Sequence, residues 1–296
     1  MIAIIIPYYK LEYFDKTLES LSMQSDKRFN VYIGDDASPQ NPTNLLNTYI
    51  GKINFAYHRF STNLGSISLV QHWERCIAKT QNEEWLMILG DDDVISENFI
   101  KCFYENIHEI DNVNVVRFAS VLIDGNDAVL SEKYVHPLIE KSTDFLIRKI
   151  TGQTRSSLSE YVIRKKNLVE KKFIEFPLAW HSDDYALLRF SNFSDIFSIN
   201  TALVKIRISD LSISGNKTNQ NLKNKASLEF YYLILKKHTN HFSKNQINII
   251  LNRLERFFFK QMSFNKMFFL FRFHFQNQGF FSTLKFLRRI LINYKL

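Results

Sequence analysis

Five short, almost continuously apolar segments recur in the first 120 residues, at Ile2 to Ile6, Phe29 to Gly34, Ile53 to His58, Trp85 to Leu89 and Val113 to Ala119. Between them, 11–23, 65–79 and 97–109 carry apolar residues at helical spacing. Strands that are apolar on both faces and alternate with helices predict an α/β fold with a mostly parallel central sheet flanked by helices. In such open sheets a ligand binds beyond the carboxyl ends of the strands. The residues that leave those ends are Pro7, Tyr8 and Tyr9 after the first strand, Asp35 and Asp36 after the second, and Asp91, Asp92 and Asp93 after the fourth.

Three adjacent carboxylates repel one another, so the run ILGDDDVIS (88–96) needs either open water or a cation. Magnesium and manganese take oxygen ligands and are held by one or two carboxylates together with substrate phosphate oxygens. In extended backbone neighbouring side chains diverge, which puts Asp91 and Asp93 on one side unless the loop bends. A solvated acidic turn with Ser96 capping the next helix is the alternative that the residues alone leave open.

Between 120 and 175 the periodicity weakens to scattered strands around KYVHP and a helix near 142–151. In FPLAWHSDDYALLRFS (176–191) an apolar approach meets Ser182, Asp183 and Asp184, which suit the cap and first turn of a helix. A strand-like stretch follows over 195–209, then a polar loop to 225 that is basic through Lys217, Lys223 and Lys225, then helix. The planar fork of Arg207 suits a diphosphate, and the loop suits a lid over a donor.

In order and spacing, IAIIIPYY, VYIGDDAS, NLGSISLVQHW, WLMILGDDDVIS and the SDD of WHSDDYALL resemble the family 2 glycosyltransferases of the GT-A fold, over roughly 1–215. The resemblance implies a nucleotide-binding half (1–110) and an acceptor-binding half (111–215). It matches Pro7, Tyr9, Asn63 and Gly65 to the nucleotide site, and Asp36, with Asp35, to the acid that reads the base edge. Asp91 matches the ribose contact, Asp92 and Asp93 the metal carboxylates, and Asp183 or Asp184 the catalytic base. Where many members read D-S-D-D, this chain reads Gly90-Asp91-Asp92-Asp93. The implied activity is metal-dependent inverting transfer from a nucleotide-sugar donor, a UDP-sugar foremost, with Mn2+ or Mg2+. An ordinary aspartate is a weak base near neutral pH, so Trp180 and His181 are expected to desolvate the base and raise its pKa. His72 is expected to be structural. The rivals are a non-catalytic scaffold on the same fold and a nucleotidyltransferase, whose glycine-rich loop PYYKLEYFDK lacks.

The net charge of +8 is unevenly placed. Of 38 bases and 30 acids, nine bases and one acid (Glu255) lie in 251–296, which leaves 29 of each before it. Twelve phenylalanines fall between 257 and 286. A basic, aromatic helical region over 226–296 predicts association with an anionic membrane surface in preference to internal packing, an oligomer contact or nucleic acid, and a lipid-linked saccharide as acceptor. The N-terminus lacks the basic flank and long apolar core of a secretory signal, and no run reaches a membrane span. The expected location is therefore cytoplasmic, peripheral to the inner face of the cell membrane. Cys76 and Cys102 lack metal-ligand spacing and are expected as inert core thiols.

Overall fold

The computed structural model describes residues 1–208 and 219–293. The opening alternation becomes β1 (Ile2–Tyr8), α1 (Phe14–Ser22), β2 (Phe29–Asp35), α2 (Thr43–Asn47), β3 (Phe55–Arg59), α3 (Leu69–Ile77) and β4 (Trp85–Ile88). Then come β5 (Val94–Ile95), α4 (Phe99–Glu105), β6 (Val115–Ile123), β7 (Ile139–Lys141), α5 (Ser142–Ile150), β8 (Tyr161–Arg164), α6 (Lys165–Lys171), α7 (Ser182–Phe190) and β9 (Asp195–Arg207). The C-terminal region is α8 (Gln220–Lys237), α9 (Lys244–Phe258), α10 (Phe264–Gln278) and α11 (Phe280–Asn293). Two units result. One comprises Met1–Glu175 with the described residues 182–208, and the other Phe176–His181 with 219–293.

All the strands join one sheet in the order β3-β2-β1-β4-β8-β6-β9-β5, with β7 paired to β9. The first four are parallel, with Ile5 opposite Ile88 and Tyr8 opposite Asp35. The chain builds outward from β1 in both directions, so a topological switch point lies between β1 and β4, where such sheets take ligands. β8 enters antiparallel between β4 and β6, and β6 runs parallel to β9.

Every residue of β1 but Pro7 is buried, as a central strand covered on both faces requires. α3 begins at Ser68, whose Oγ accepts the Gln71 N–H at 3.1 Å, and turns Val70, His72, Trp73, Cys76 and Ile77 inward. That helix lies so close to β2 that a Cβ on Gly34 would meet Cys76 Sγ at 2.3 Å. Burial pushes the Cys76 thiol up to about 12, and both cysteines are buried and free, as inert core thiols should be. On the opposite face Phe99 stacks on Phe118 at 3.8 Å.

The segment whose periodicity was weakest supplies β7, α5, β8 and α6. Its strands are three and four residues long, too short to display a period of two convincingly. The expected start of β3 at Ile53 moves to Phe55, because Ile53 makes only an isolated bridge to Ile50. Among the described residues no helix is long and apolar enough to cross a membrane. The expected lid, with Lys217, lies largely outside the described residues.

Candidate active site

The turn after β4 bends back under the end of β1. Asp91 Oδ2 accepts the backbone N–H groups of Tyr9 at 2.7 Å and Lys10 at 2.8 Å. Asp93 is buried and both its oxygens are engaged: Ser159 Oγ donates to Oδ2 at 2.5 Å, and the N–H of Arg207 to Oδ1 at 3.0 Å. Its carbonyl accepts from Thr17 at 2.9 Å. Asp92, half-buried between them, has no hydrogen bond to its carboxylate from any described side chain. Asp93 is thus the anchor of the turn, and of the two expected metal carboxylates Asp92 is the one that takes no hydrogen bond from a described side chain.

Gly90 explains how three acids share so small a space. A Cβ there would meet Asp93 Oδ2 at 2.9 Å and Asp92 Oδ1 at 3.0 Å, so both carboxylates fold over the bare glycine. Burial, then repulsion from Asp92, pushes Asp93 up to about 7 and Asp91 to about 6. Burial also raises Asp92. A divalent cation fits this donor set chemically, since it relieves that repulsion and takes hard oxygen ligands. Among the described residues the protein alone supplies no group of three or more ligands.

Asp35 and Asp36 leave β2 buried. Asp35 accepts from Ser38 N–H at 2.7 Å, Tyr57 at 2.5 Å and Arg59 at 2.7 Å. Asp36 accepts the N–H groups of Leu64 and Gly65, each at 2.8 Å, and pairs with Arg75. It fastens the loop of Asn63 and Gly65 to the sheet edge, so closely that a Cβ on Gly65 would lie 2.5 Å from Asp36 Oδ2. Asn63 Oδ1 accepts the Ser66 N–H at 2.9 Å. His72 is buried beside this pair and accepts from Arg75 at 3.1 Å; burial lowers it to about 4, which keeps it neutral. Pro7 is half-buried at the end of β1, and Tyr9 is exposed just beyond it.

Asp184 is buried in the first turn of α7 and pairs with Lys149 at the end of α5, while Asp183 is half-buried. Burial alone would lower the Lys149 ammonium, but Asp184 and Asp183 outweigh it and raise it. Trp180 and His181, the expected desolvating neighbours of the base, belong to the second unit. The His181 ring stacks on Phe230 at 4.5 Å and bonds Ser227 at 2.9 Å, and Lys223 lies 4.8 Å over Trp180.

Arg207 also needs correction as a diphosphate contact. Its side chain is fully buried. Nε donates to the Asp92 carbonyl at 3.0 Å, Nη1 to the Asp124 carbonyl at 2.5 Å and Nη2 to Asp127 at 2.6 Å, while Tyr13 lies beneath at 4.4 Å. The fork organises the aspartate turn rather than facing a ligand.

Sequence reasoning missed Ser159, Lys149 and a buried carboxylate, Glu160. Glu160 accepts from Arg155 at 2.7 Å, the Ser120 hydroxyl lies beside it, and burial outweighs both to raise it to about 7. None sits in a motif, and all three lie in the stretch with the weakest periodicity.

Residues 3–197 match the family described as Glycosyl transferase family 2. No curated protein sequence matches significantly. Among solved structures, S. aureus TarS 1-349 in complex with UDP-GlcNAc superposes with a TM-score of 0.67 at 17% identity, over 92% of this chain and 78% of that one. Mannosyltransferase PcManGT from Pyrobaculum calidifontis, in complex with GDP-Man and Mn2+, gives 0.56 at 8% identity, over 98% and 86%. GalNAc-T7 with UDP, GalNAc and Mn2+ gives 0.53 at 10% identity, over 90% and 57%.

Proposed function

The chain belongs to glycosyl transferase family 2, on the GT-A fold, and from that premise we propose an inverting glycosyltransferase that moves a sugar from a nucleoside-diphosphate donor to an acceptor hydroxyl. The observation that carries this most is the aspartate turn at the switch point, where Asp91 is tied to the Tyr9 and Lys10 amides and Asp92 takes no hydrogen bond from a described side chain. Pro7, Tyr9, Asp36, Asn63 and Gly65, with Asp35 bracing Asp36, form the wall on which we place the base, and Asp91 the ribose contact. A divalent cation, Mn2+ or Mg2+, would be held by Asp92 and Asp93 and would supply positive charge against a departing diphosphate.

Asp183 is assigned as the base that takes the acceptor proton, and Asp184, held by Lys149, as its anchor on α7. The acceptor oxygen then attacks the anomeric carbon from the face opposite the nucleotide, with no covalent enzyme intermediate. Neighbours that hold UDP-GlcNAc and UDP favour a UDP-sugar. We place the reaction at the inner face of the cell membrane, with a lipid-linked saccharide of a surface polysaccharide as acceptor.

A screen of diphosphate release from UDP-, GDP- and dTDP-sugars, with manganese and lipid-linked acceptors, tests this. Release from a UDP-sugar that stops on chelation is expected. No release from any donor, together with no thermal stabilisation by a nucleoside diphosphate plus manganese, would leave only a scaffold.

A further inference from the structure

The last two helices are each apolar on two sides. Leu270, Phe273 and His274 of α10 are buried, as are Thr283, Phe286 and Ile290 of α11. Phe286 lies 5.0 Å from the His274 ring and 6.1 Å from Phe258. Glu255, the last acid of the chain, is buried there too, accepting from His274 at 2.5 Å and pairing with Arg289. This is the inward face.

Away from it, α10 exposes Phe264, Phe268, Phe271 and Phe275. α11 exposes Phe280, Leu284, Leu287 and Leu291 at the same spacing of four, three and four. At 3.6 residues per turn each set forms one narrow stripe, and Phe264 and Phe281 are 76% and 80% exposed. Arg272, Lys285 and Arg288 are exposed on the same two helices. Exposed apolar stripes of this kind mark a partner.

The chemistry selects which partner. No acid follows Glu255, so a second copy would set basic surface against basic surface. Single-stranded nucleic acid stacks on aromatic faces, which the leucines of α11 lack. An anionic bilayer accepts apolar stripes and bases together, and helices that cannot span it lie in its headgroup layer.

We infer that α10 and α11 form a docking surface for an anionic membrane, with the two exposed stripes toward the acyl chains and Arg272, Lys285 and Arg288 against lipid phosphates. This deepens the membrane placement of the proposed transfer without resting on its chemistry. Vesicle binding is measured without donor or acceptor, so either fails alone. Removing the region would also remove Leu270, Phe273, Phe286 and Ile290 from their packing, so the test uses exposed positions only.

The full chain is floated with phosphatidylglycerol/phosphatidylcholine vesicles, with phosphatidylcholine alone, and at high salt. It should bind the anionic vesicles, and salt should weaken binding several-fold. Phe264→Ser/Phe268→Ser/Phe271→Ser/Phe275→Ser should bind at least about tenfold more weakly with an unchanged melting temperature, and Arg272→Glu/Lys285→Glu/Arg288→Glu should lose the preference for anionic lipid. Should the serine variant misfold, the single variant Phe268→Trp serves, with a blue-shifted emission expected on anionic vesicles. No binding of the wild type, binding of a folded serine variant within about twofold, or an unshifted emission from the Phe268→Trp variant would each overturn the inference. So would a solution dimer that the serine substitutions dissociate, or an oligothymidine that outcompetes vesicles.

Discussion

The backbone N–H of Arg207 donates to Asp93 Oδ1 at 3.0 Å, and this bond ties the end of β9 to the turn that follows β4. The side chain of Arg207 reinforces the tie through the Asp92 carbonyl. The aspartate turn is therefore held from outside its own sequence, and its three carboxylates differ in what the protein demands of them.

That difference separates stability from activity. Asp92→Asn removes the charge that repels Asp91 and Asp93, so without metal stability should hold or rise. Metal-supported turnover should fall at least about a hundredfold. Asp93→Ala leaves the Ser159 hydroxyl and the Arg207 N–H without their acceptor and should cost about 2 kcal/mol. Thermal melts beside manganese-titrated rates distinguish the two, and equal destabilisation by both would refute the division.

Gly90→Asp places a fourth acid in the turn and should reduce both stability and rate. Its Cβ would contend with Asp92 Oδ1 and Asp93 Oδ2 within about 3 Å. A faster Gly90→Asp enzyme would show that the turn has room the geometry denies.

Glu160 sets a pH dependence opposite to that of an ordinary ion-paired acid. Its folded pKa is raised by burial from 4.5 to about 7, so the folded state holds the proton more tightly than the unfolded one. Stability from this group is full below pH 4.5, falls as pH rises through 7, and is level above it. Glu160→Gln should flatten that slope. Urea melts at pH 4 and pH 8 should show the difference between wild type and variant changing by up to about 3 kcal/mol.

Asp183→Asn should lower turnover about a thousandfold with an unchanged melt, as loss of a general base does. Lys149→Met leaves Asp184 buried without its cation and should destabilise by about 3 kcal/mol. Adding Asp184→Asn should recover part of that loss. If Asp183→Asn retains activity within tenfold while Asp184→Asn abolishes it in a folded protein, the roles are reversed.

Much of this was legible in the chain itself. Apolar strands such as Ile2–Tyr8 and amphipathic helices such as Leu69–Ile77 announce their periods locally, and the acids at the strand ends follow from where those periods stop. The same holds for the basic, phenylalanine-rich end, because composition needs no folding to be counted. The sequence alone thereby determined the α/β class, the edge of the sheet that carries Asp36 and Asp91–Asp93, and the family. Tertiary structure decided the rest: that Asp93 is an anchor, that Arg207 is buried beneath it, that Lys149 holds Asp184, and which side of each terminal helix stays exposed. Ser159 meets Asp93 across 66 residues and Arg207 meets it across 114. Such contacts depend on how strands are ordered across the sheet, and local periodicity carries no information about that order.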